Sequence, residues 1–169
     1  MPTPAKLPDA EALCAALADA MRGHVDPAAT ALVGIHTGGV WVAERLHAAL
    51  GLKIAPGSID VSFYRDDFSQ RGLHANARTS QIPFDVEGAH IVIVDDVLYT
   101  GRTIRAAMNE LFDYGRPAKI DLAVLTDRGG RELPVAPTWC PHSLSLPAAQ
   151  MLALDRAADG RLSFHVIEK

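Results

Sequence analysis

Residues 91–103 read IVIVDDVLYTGRT. Four consecutive β-branched apolar residues run into Asp95 and Asp96, and a Thr-Gly-Arg-Thr turn then opens the pattern GRTIRAAMNELFDYG, which predicts a helix closed by Gly115. A continuous apolar run, rather than one alternating with polar residues, belongs to a strand buried on both faces, the environment of a parallel sheet. Strand 90–96 followed at once by a helix is therefore half of a strand-helix-strand unit, and the segment KIDLAVLTD (119–127) supplies the returning strand.

The same arrangement recurs upstream. ALVGIH (31–36) reads as a short buried strand, TGG (37–39) turns the chain, and VWVAERLHAAL (40–50) has helical spacing up to Gly51. SIDVSF (58–63) reads as another strand and LSFHVIE (162–168) as a last one. Asp9 after Pro8 caps a first helix, with Leu13, Ala16, Leu17, Ala20 and Met21 at helical spacing until Gly23. Strands alternating with helices predict an α/β fold whose central parallel sheet is flanked by helices. Two segments break the pattern. Residues 64–88 are polar, bear arginines and lack core periodicity, which fits a lid better than a connector, and the tail from Pro134 is proline-rich and irregular until 162.

One domain accounts for 169 residues of which 49% are hydrophobic. A net charge of -4 excludes a global pull toward nucleic acid or anionic membrane, so a basic site must be local, and its cations are mostly arginine. Cys14 and Cys140 are far apart and lack a CxxC partner, which predicts a reducing, cytoplasmic setting rather than disulfides. Cys140 and His142 form a C-x-H pair too small for a zinc site, and no stretch reaches membrane-spanning length.

In parallel α/β sheets ligands bind beyond the carboxyl ends of the strands. Three segments with unusual chemistry end there: 36–39, 95–103 and 127–129. Thr100, Gly101, Arg102 and Thr103 open a helix with hydroxyls, a glycine and no acid, which suits a phosphate on the helix N-terminal amides. Asp95 and Asp96 are acceptor-only groups and suit the donating hydroxyls of a ribose; a magnesium site or a solvated strand end are the alternatives. Neither GxxxxGK[ST] nor GxGxxG occurs.

Residues 91–103 closely resemble the thirteen-residue phosphoribosyl pyrophosphate (PRPP) motif of type I phosphoribosyltransferases. The version with tyrosine resembles that of the PyrR family, bifunctional pyrimidine operon regulators and uracil phosphoribosyltransferases. LVGIHTGGVWVAERL, SFYRDDFS, TSQIPFDVEG and GRPAKIDLAVLTDRGGRELP extend the similarity over about 31–134. The resemblance implies a single type I phosphoribosyltransferase domain over 1–169, with a mobile loop or hairpin at about 64–88 and a small hood from about 127 with the tail. It implies conversion of uracil and PRPP to UMP and pyrophosphate, in a cytoplasmic homodimer or higher homo-oligomer without membrane contact. By the same resemblance Asp95 and Asp96 hold the ribose, and Tyr99, Thr100, Gly101, Arg102 and Thr103 form the 5-phosphate segment. Thr37, Gly38 and Gly39 form the pyrophosphate loop, Arg65 and Arg78 lie on the mobile loop, and Asp127, Arg128, Gly129 and Arg131 serve the base and hood. Mg2+ is held by PRPP oxygens rather than by a protein cage. Purine enzymes of this fold place an aspartate where Tyr99 stands; a phenol with a pKa near 10 is a poor base, which points to a pyrimidine. Binding of an operon leader RNA is a further implied activity; RNA regulation or PRPP sensing with little turnover, or transfer to another base, are alternatives.

Three features depart from the family pattern. Gly38 stands where the family commonly has arginine, a lost charged hydrogen bond that costs about 1.5 to 3 kcal/mol unless a loop arginine substitutes. Gly130 replaces a frequent histidine, and the stretch VAPTWCPHSLSLPAAQ (135–150) replaces a glycine- and lysine-containing one.

Overall fold

A computed structural model describes residues 6–61 and 80–169. Arg65 and Arg78, and the end of the strand expected over 58–63, lie outside the described residues.

The chain forms helix α1 (Ala10–Met21), strand β1 (Thr30–Ile35), helix α2 (Gly38–Leu50), strands β2 (Gly57–Ile59) and β3 (His90–Leu98), helix α3 (Arg102–Tyr114), and strands β4 (Lys119–Asp127), β5 (His142–Ser143), β6 (Gln150–Arg156) and β7 (Leu162–Glu168). Strands β2-β1-β3-β4-β5, in that order, make one sheet whose pairs are all parallel. Alternate strand residues enter opposite cores, which is why the runs read as continuously apolar. Leu32, Val92, Val94, Ala123 and Leu125 face α1 and α2. Val33, Ile35, Ile91, Ile93, Leu122 and Val124 face the α3 side.

Local chemistry sets the helix ends. Asp9 caps α1 by accepting from the Glu11 and Ala12 amides at 3.0 and 3.4 Å. Gly51, in the left-handed region at φ 62°, closes α2. The two glycines expected as a turn before α2 are its first residues instead. A Cβ on Gly34 would lie 2.7 Å from the Gly39 carbonyl oxygen, and one on Gly39 would fall on the Val94 carbonyl oxygen, so the bare backbones let α2 begin directly on β1 and β3. Trp41 of α2 packs against the core, with the Arg156 guanidinium 5.0 Å from its ring centroid.

The tail is more regular than its sequence suggests. β6 and β7 form an antiparallel hairpin in which Leu152 faces Val166 and Leu154 faces Phe164. Leu152, Leu154, Leu162 and Phe164 join the core beside α1 and α2. Glu11 accepts from the Leu162 amide at 2.8 Å and from Arg45 Nη1 at 2.5 Å, and Arg45 Nη2 donates to the Gly160 carbonyl at 2.5 Å. These bonds pin the hairpin to the body of the fold. Beyond residue 79, Gln81 exchanges two backbone hydrogen bonds of 2.8 Å with Ser58, so the returning chain pairs antiparallel with the edge strand β2. Among the described residues no helix is long and apolar enough to cross a membrane.

Candidate functional site

From β1 the chain crosses through α2 to β2 on one side; from β3 it crosses through α3 to β4 on the other. The crevice between the carboxyl ends of β1 and β3 is thus the topological switch point, where such sheets bind ligands. Pairing of β3 with β1 stops at Val94, whereas its pairing with β4 continues to Leu98. Residues 95–98 therefore have a strand neighbour on one side and an open crevice on the other. A cavity of about 390 Å³ occupies this place.

The cavity gathers the residues singled out at two strand ends: His36, Thr37 and Gly38 from β1, and Asp95, Asp96, Tyr99, Thr100, Gly101 and Thr103 from β3. Strict alternation sends adjacent acids to opposite faces, yet both acids line this cavity. Asp95 is buried and accepts from the Asp96 amide at 2.9 Å; Asp96 is half-buried and accepts from the Val97 amide at 2.9 Å. The strand continues two residues past them, so the acids sit inside its last turn of pleat, held by their own backbone.

Gly101, at φ 95°, turns the chain from β3 into α3, a conformation that favours glycine. No acid stands in the first turn of α3, and its N-cap residue, Gly101, has no side chain to cap it. The Thr100 hydroxyl accepts from the Arg102 amide at 3.2 Å. Anions are favoured at such an end by the helix dipole and its unpaired donors. The Arg102 side chain itself is exposed, pairs with Glu132 at 3.5 Å and is not part of the cavity wall. Gly39 is likewise buried, in the first turn of α2 against β3, rather than lining the cavity.

Gly38 has a local reason for being glycine here. A Cβ on it would fall on Asp96 Oδ2 and lie 2.8 Å from Asp96 Cγ, so the carboxylate occupies the space where a larger residue would begin.

The segment after β4 divides. Arg128 enters the cavity wall, 6% exposed, with its Cζ 3.9 Å from the Tyr99 ring centroid. Asp127, Gly129 and Gly130 border, together with Arg128, a second and more open depression that also touches Ser143, Leu144 and Ser145. Burial raises the pKa of Asp127, but the Arg131 guanidinium at 2.5 Å and the Gly129 amide at 2.9 Å outweigh it and hold the carboxyl below its usual range. Arg131 Nη1 also donates to the Tyr99 carbonyl at 2.6 Å, tying this segment to the β3–α3 turn.

Sequence reading missed Met151, Leu152, Ala153, Leu154 and Lys169, which the β6–β7 hairpin places along the cavity. A signal existed: Asp159-Gly160 between two mainly apolar runs is a hairpin turn pattern. Cys140 and His142 are engaged locally, the thiol donating to the His142 carbonyl at 3.0 Å and the imidazole bonded to the Thr126 hydroxyl at 3.0 Å. Among the described residues no cluster of three or more His, Cys, Asp or Glu is placed to hold a metal. The acidic donors in the cavity are Asp95 and Asp96, a set suited to a hard cation that brings most of its ligands with a substrate.

Comparison with known proteins gives the same assignment. The phosphoribosyl transferase domain family model matches residues 5–140. The bifunctional protein PyrR of Pseudomonas fluorescens is 50% identical over 155 residues, covering 90% of this chain and 92% of its own. That of Pseudomonas putida is 51% identical over 151 residues, covering 88% of each. Among solved structures, a purine phosphoribosyltransferase from Pyrococcus horikoshii superposes with a TM-score of 0.60 at 28% identity, over 79% of this chain and 81% of that one. A hypoxanthine-guanine-xanthine phosphoribosyltransferase reaches 0.61 at 18% identity, over 83% and 79%, and so shares the fold. With its switch-point cavity, paired acids and acid-free helix start, the chain belongs to the PyrR family of phosphoribosyltransferases.

Proposed function

We propose that this protein transfers the ribose 5-phosphate group of PRPP to uracil, giving UMP and pyrophosphate. The observation that carries the proposal is the convergence, on one cavity, of Thr37 and Gly38, Asp95 and Asp96, and the start of α3. Each matches one part of PRPP. The acids accept from ribose hydroxyls and fix the sugar. The amides and hydroxyls of residues 100–103 take the 5-phosphate, at a helix end that favours negative charge. The amides of Thr37 and Gly38, between β1 and the first turn of α2, are offered to the pyrophosphate.

In the reaction the bond from the anomeric carbon to pyrophosphate breaks as a uracil nitrogen bonds to that carbon. Charge grows on the leaving oxygen while the ribose becomes oxocarbenium-like, so fixed donors at the pyrophosphate and acceptors at the ribose are the contributions needed from the protein. Mg2+ arriving with PRPP would be held mainly by PRPP oxygens, with the Asp95 and Asp96 carboxylates available to it, and would supply further charge stabilisation when bound. Arg65 and Arg78 are proposed to close over PRPP and to replace the donor missing at Gly38. Tyr99 and Arg128 are proposed to border the base, with Asp127, Gly129 and Arg131 holding that border in place.

A panel of PRPP with uracil, orotate, hypoxanthine and guanine, read as base-dependent pyrophosphate release, tests this. Release with uracil well above the other bases is expected; release with none, or with a purine alone, overturns it.

UMP-responsive binding to a pyrimidine-operon leader RNA is the second reading, favoured by the word bifunctional in the relatives' name. Arg105 and Arg116 are exposed cations available for phosphate contacts. Binding that strengthens with UMP and exceeds that of a scrambled RNA at two salt concentrations is expected; UMP-indifferent binding equal to the scrambled control removes this reading. We further propose a cytoplasmic homo-oligomer, for which the exposed Phe112 and Tyr114 of α3 offer apolar surface.

A further inference from the structure

We propose that Arg128 is a positioning residue for base recognition: it fixes the Tyr99 ring as a rigid wall of the base site, and the divergent tail in turn fixes Arg128. The location of the base rests on the phosphoribosyltransferase reading above; the coupling rests on the geometry around Tyr99.

Arg128 is 6% exposed, and among the described residues no carboxylate pairs with it. Its partners are neutral. Nη1 donates to the Gln150 carbonyl at 2.9 Å, and Nη2 to those of Leu146 and Pro147 at 3.4 and 3.3 Å. Nε finds no hydrogen-bond partner. The remaining favourable contact for this buried cation is the electron-rich face of Tyr99, 3.9 Å from Cζ to the centroid, and a cation over a desolvated ring is held firmly. Lysine could not do both jobs, because a point ammonium lacks the planar fork that stacks and donates at once.

Tyr99 is restrained elsewhere as well. Its carbonyl accepts from Arg131 at 2.6 Å. Gly130, at φ 74°, leaves the ring its room: a Cβ there would fall on Tyr99 Cε1 and lie 3.0 Å from Cδ1. Gly130 in place of the family's frequent histidine and the altered tail at 135–150 thus belong to one arrangement, since both meet at the Tyr99 and Arg128 pair. Tyr99 lies between the acids at 95 and 96 and the phosphate turn at 100–103, so a base on the anomeric carbon of a ribose held there meets this ring. A ring held at its face, its edge and its backbone gives a boundary of fixed position, which discriminates by shape better than a mobile one.

The test compares dissociation constants for ribose 5-phosphate and UMP, because the ratio of the first to the second isolates what the base contributes. The wild type is expected to bind UMP more tightly than ribose 5-phosphate. Arg128→Lys should raise the UMP constant about tenfold and leave the ribose 5-phosphate constant within about twofold. Gly130→Ala, which disturbs the ring from its edge with the Arg128 bonds in place, should lower the same ratio. Tyr99→Leu should lower it too, Tyr99→Phe should recover most of it, and Arg128→Lys added to Tyr99→Leu should cost little more. An unchanged ratio in Arg128→Lys, or full additivity with Tyr99→Leu, overturns the inference while leaving the pyrimidine reading intact. Should Arg128→Lys lose ribose 5-phosphate binding through misfolding, Gly130→Ala decides, and an unchanged ratio there overturns it. Equal wild-type affinity for UMP and ribose 5-phosphate would overturn the pyrimidine reading and this inference together.

Discussion

Asp96 and Gly38 are best understood as one unit. The carboxylate is anchored through Oδ1 by the Val97 amide at 2.9 Å, and Oδ2 then takes the space a side chain at 38 would need. Asp96→Asn preserves shape but replaces a charged acceptor with an amide, so kcat/KM for PRPP should fall about ten- to a hundredfold. Because Asp96 is only half-buried, the thermal midpoint should stay within a degree or two; an unchanged kcat/KM would remove it from ribose binding. Restoring the family's arginine by Gly38→Arg gives a sharper expectation. The new Cβ must displace the Asp96 carboxylate, so KM for PRPP should rise several-fold in steady-state assays although a phosphate-binding cation has been added. A lowered KM would show that Asp96 yields freely. These acids, Thr100 and Gly101 were legible in the sequence because their chemistry is local: polar types at a strand end and a glycine between strand and helix. The contact between Asp96 and Gly38, and that between Arg128 and Tyr99, were not, since each joins residues separated by 58 or 29 positions.

Strands and helices were readable to within a few residues wherever burial imposed a period. β4 was expected over 119–127 and spans Lys119–Asp127. β6 escaped because Gln150–Arg156 presents only Leu152 and Leu154 to the core, too short an alternation to stand out after a proline-rich run. The helix formed by Gly38 and Gly39 escaped for a different reason: glycine weakens a helix locally, and only the close approach to β1 and β3 repays it. The hairpin so placed depends on Glu11, whose carboxylate receives the Leu162 amide foremost; despite some burial, that bond and Arg45 hold its pKa below the usual value. Glu11→Ala removes the acceptor of a part-buried amide and should lower stability by about 1 to 3 kcal/mol in denaturant unfolding. Since Met151, Leu152, Ala153, Leu154 and Lys169 border the cavity, the same variant should also weaken UMP binding; unaltered stability would mean that apolar contacts alone hold the hairpin.

Across the whole molecule the sheet separates chemistry from stability. The carboxyl ends of β1 and β3 carry the cavity, while the opposite edge carries a polar network around Asp121, which is 8% exposed. His90 meets one Asp121 oxygen at 2.7 Å, Thr138 donates to the other at 3.0 Å, and Lys119 lies 3.3 Å away. These groups stand at the starts of β3 and β4 and just before β5, so they staple the sheet at the end away from the cavity. Burial raises the Asp121 pKa, yet His90, Thr138 and Lys119 together outweigh it and leave the carboxyl below its ordinary value. A carboxyl depressed in the folded state binds its proton more readily when unfolded, so its contribution is complete above the unfolded pKa near 4 and is lost as pH falls through the folded value. Unfolding free energy should therefore decline below about pH 4, with Asp121, Asp127 and Glu11 contributing, and Asp121→Asn should flatten part of that decline. At neutral pH the same substitution leaves His90 and Lys119 with a weaker partner and should cost about 2 to 3 kcal/mol in denaturant unfolding. Below the unfolding temperature its kcat/KM should match the wild type, because the network touches no residue of the cavity. A variant equally stable but slower in transfer would mean that the two edges of the sheet are coupled, contrary to this division.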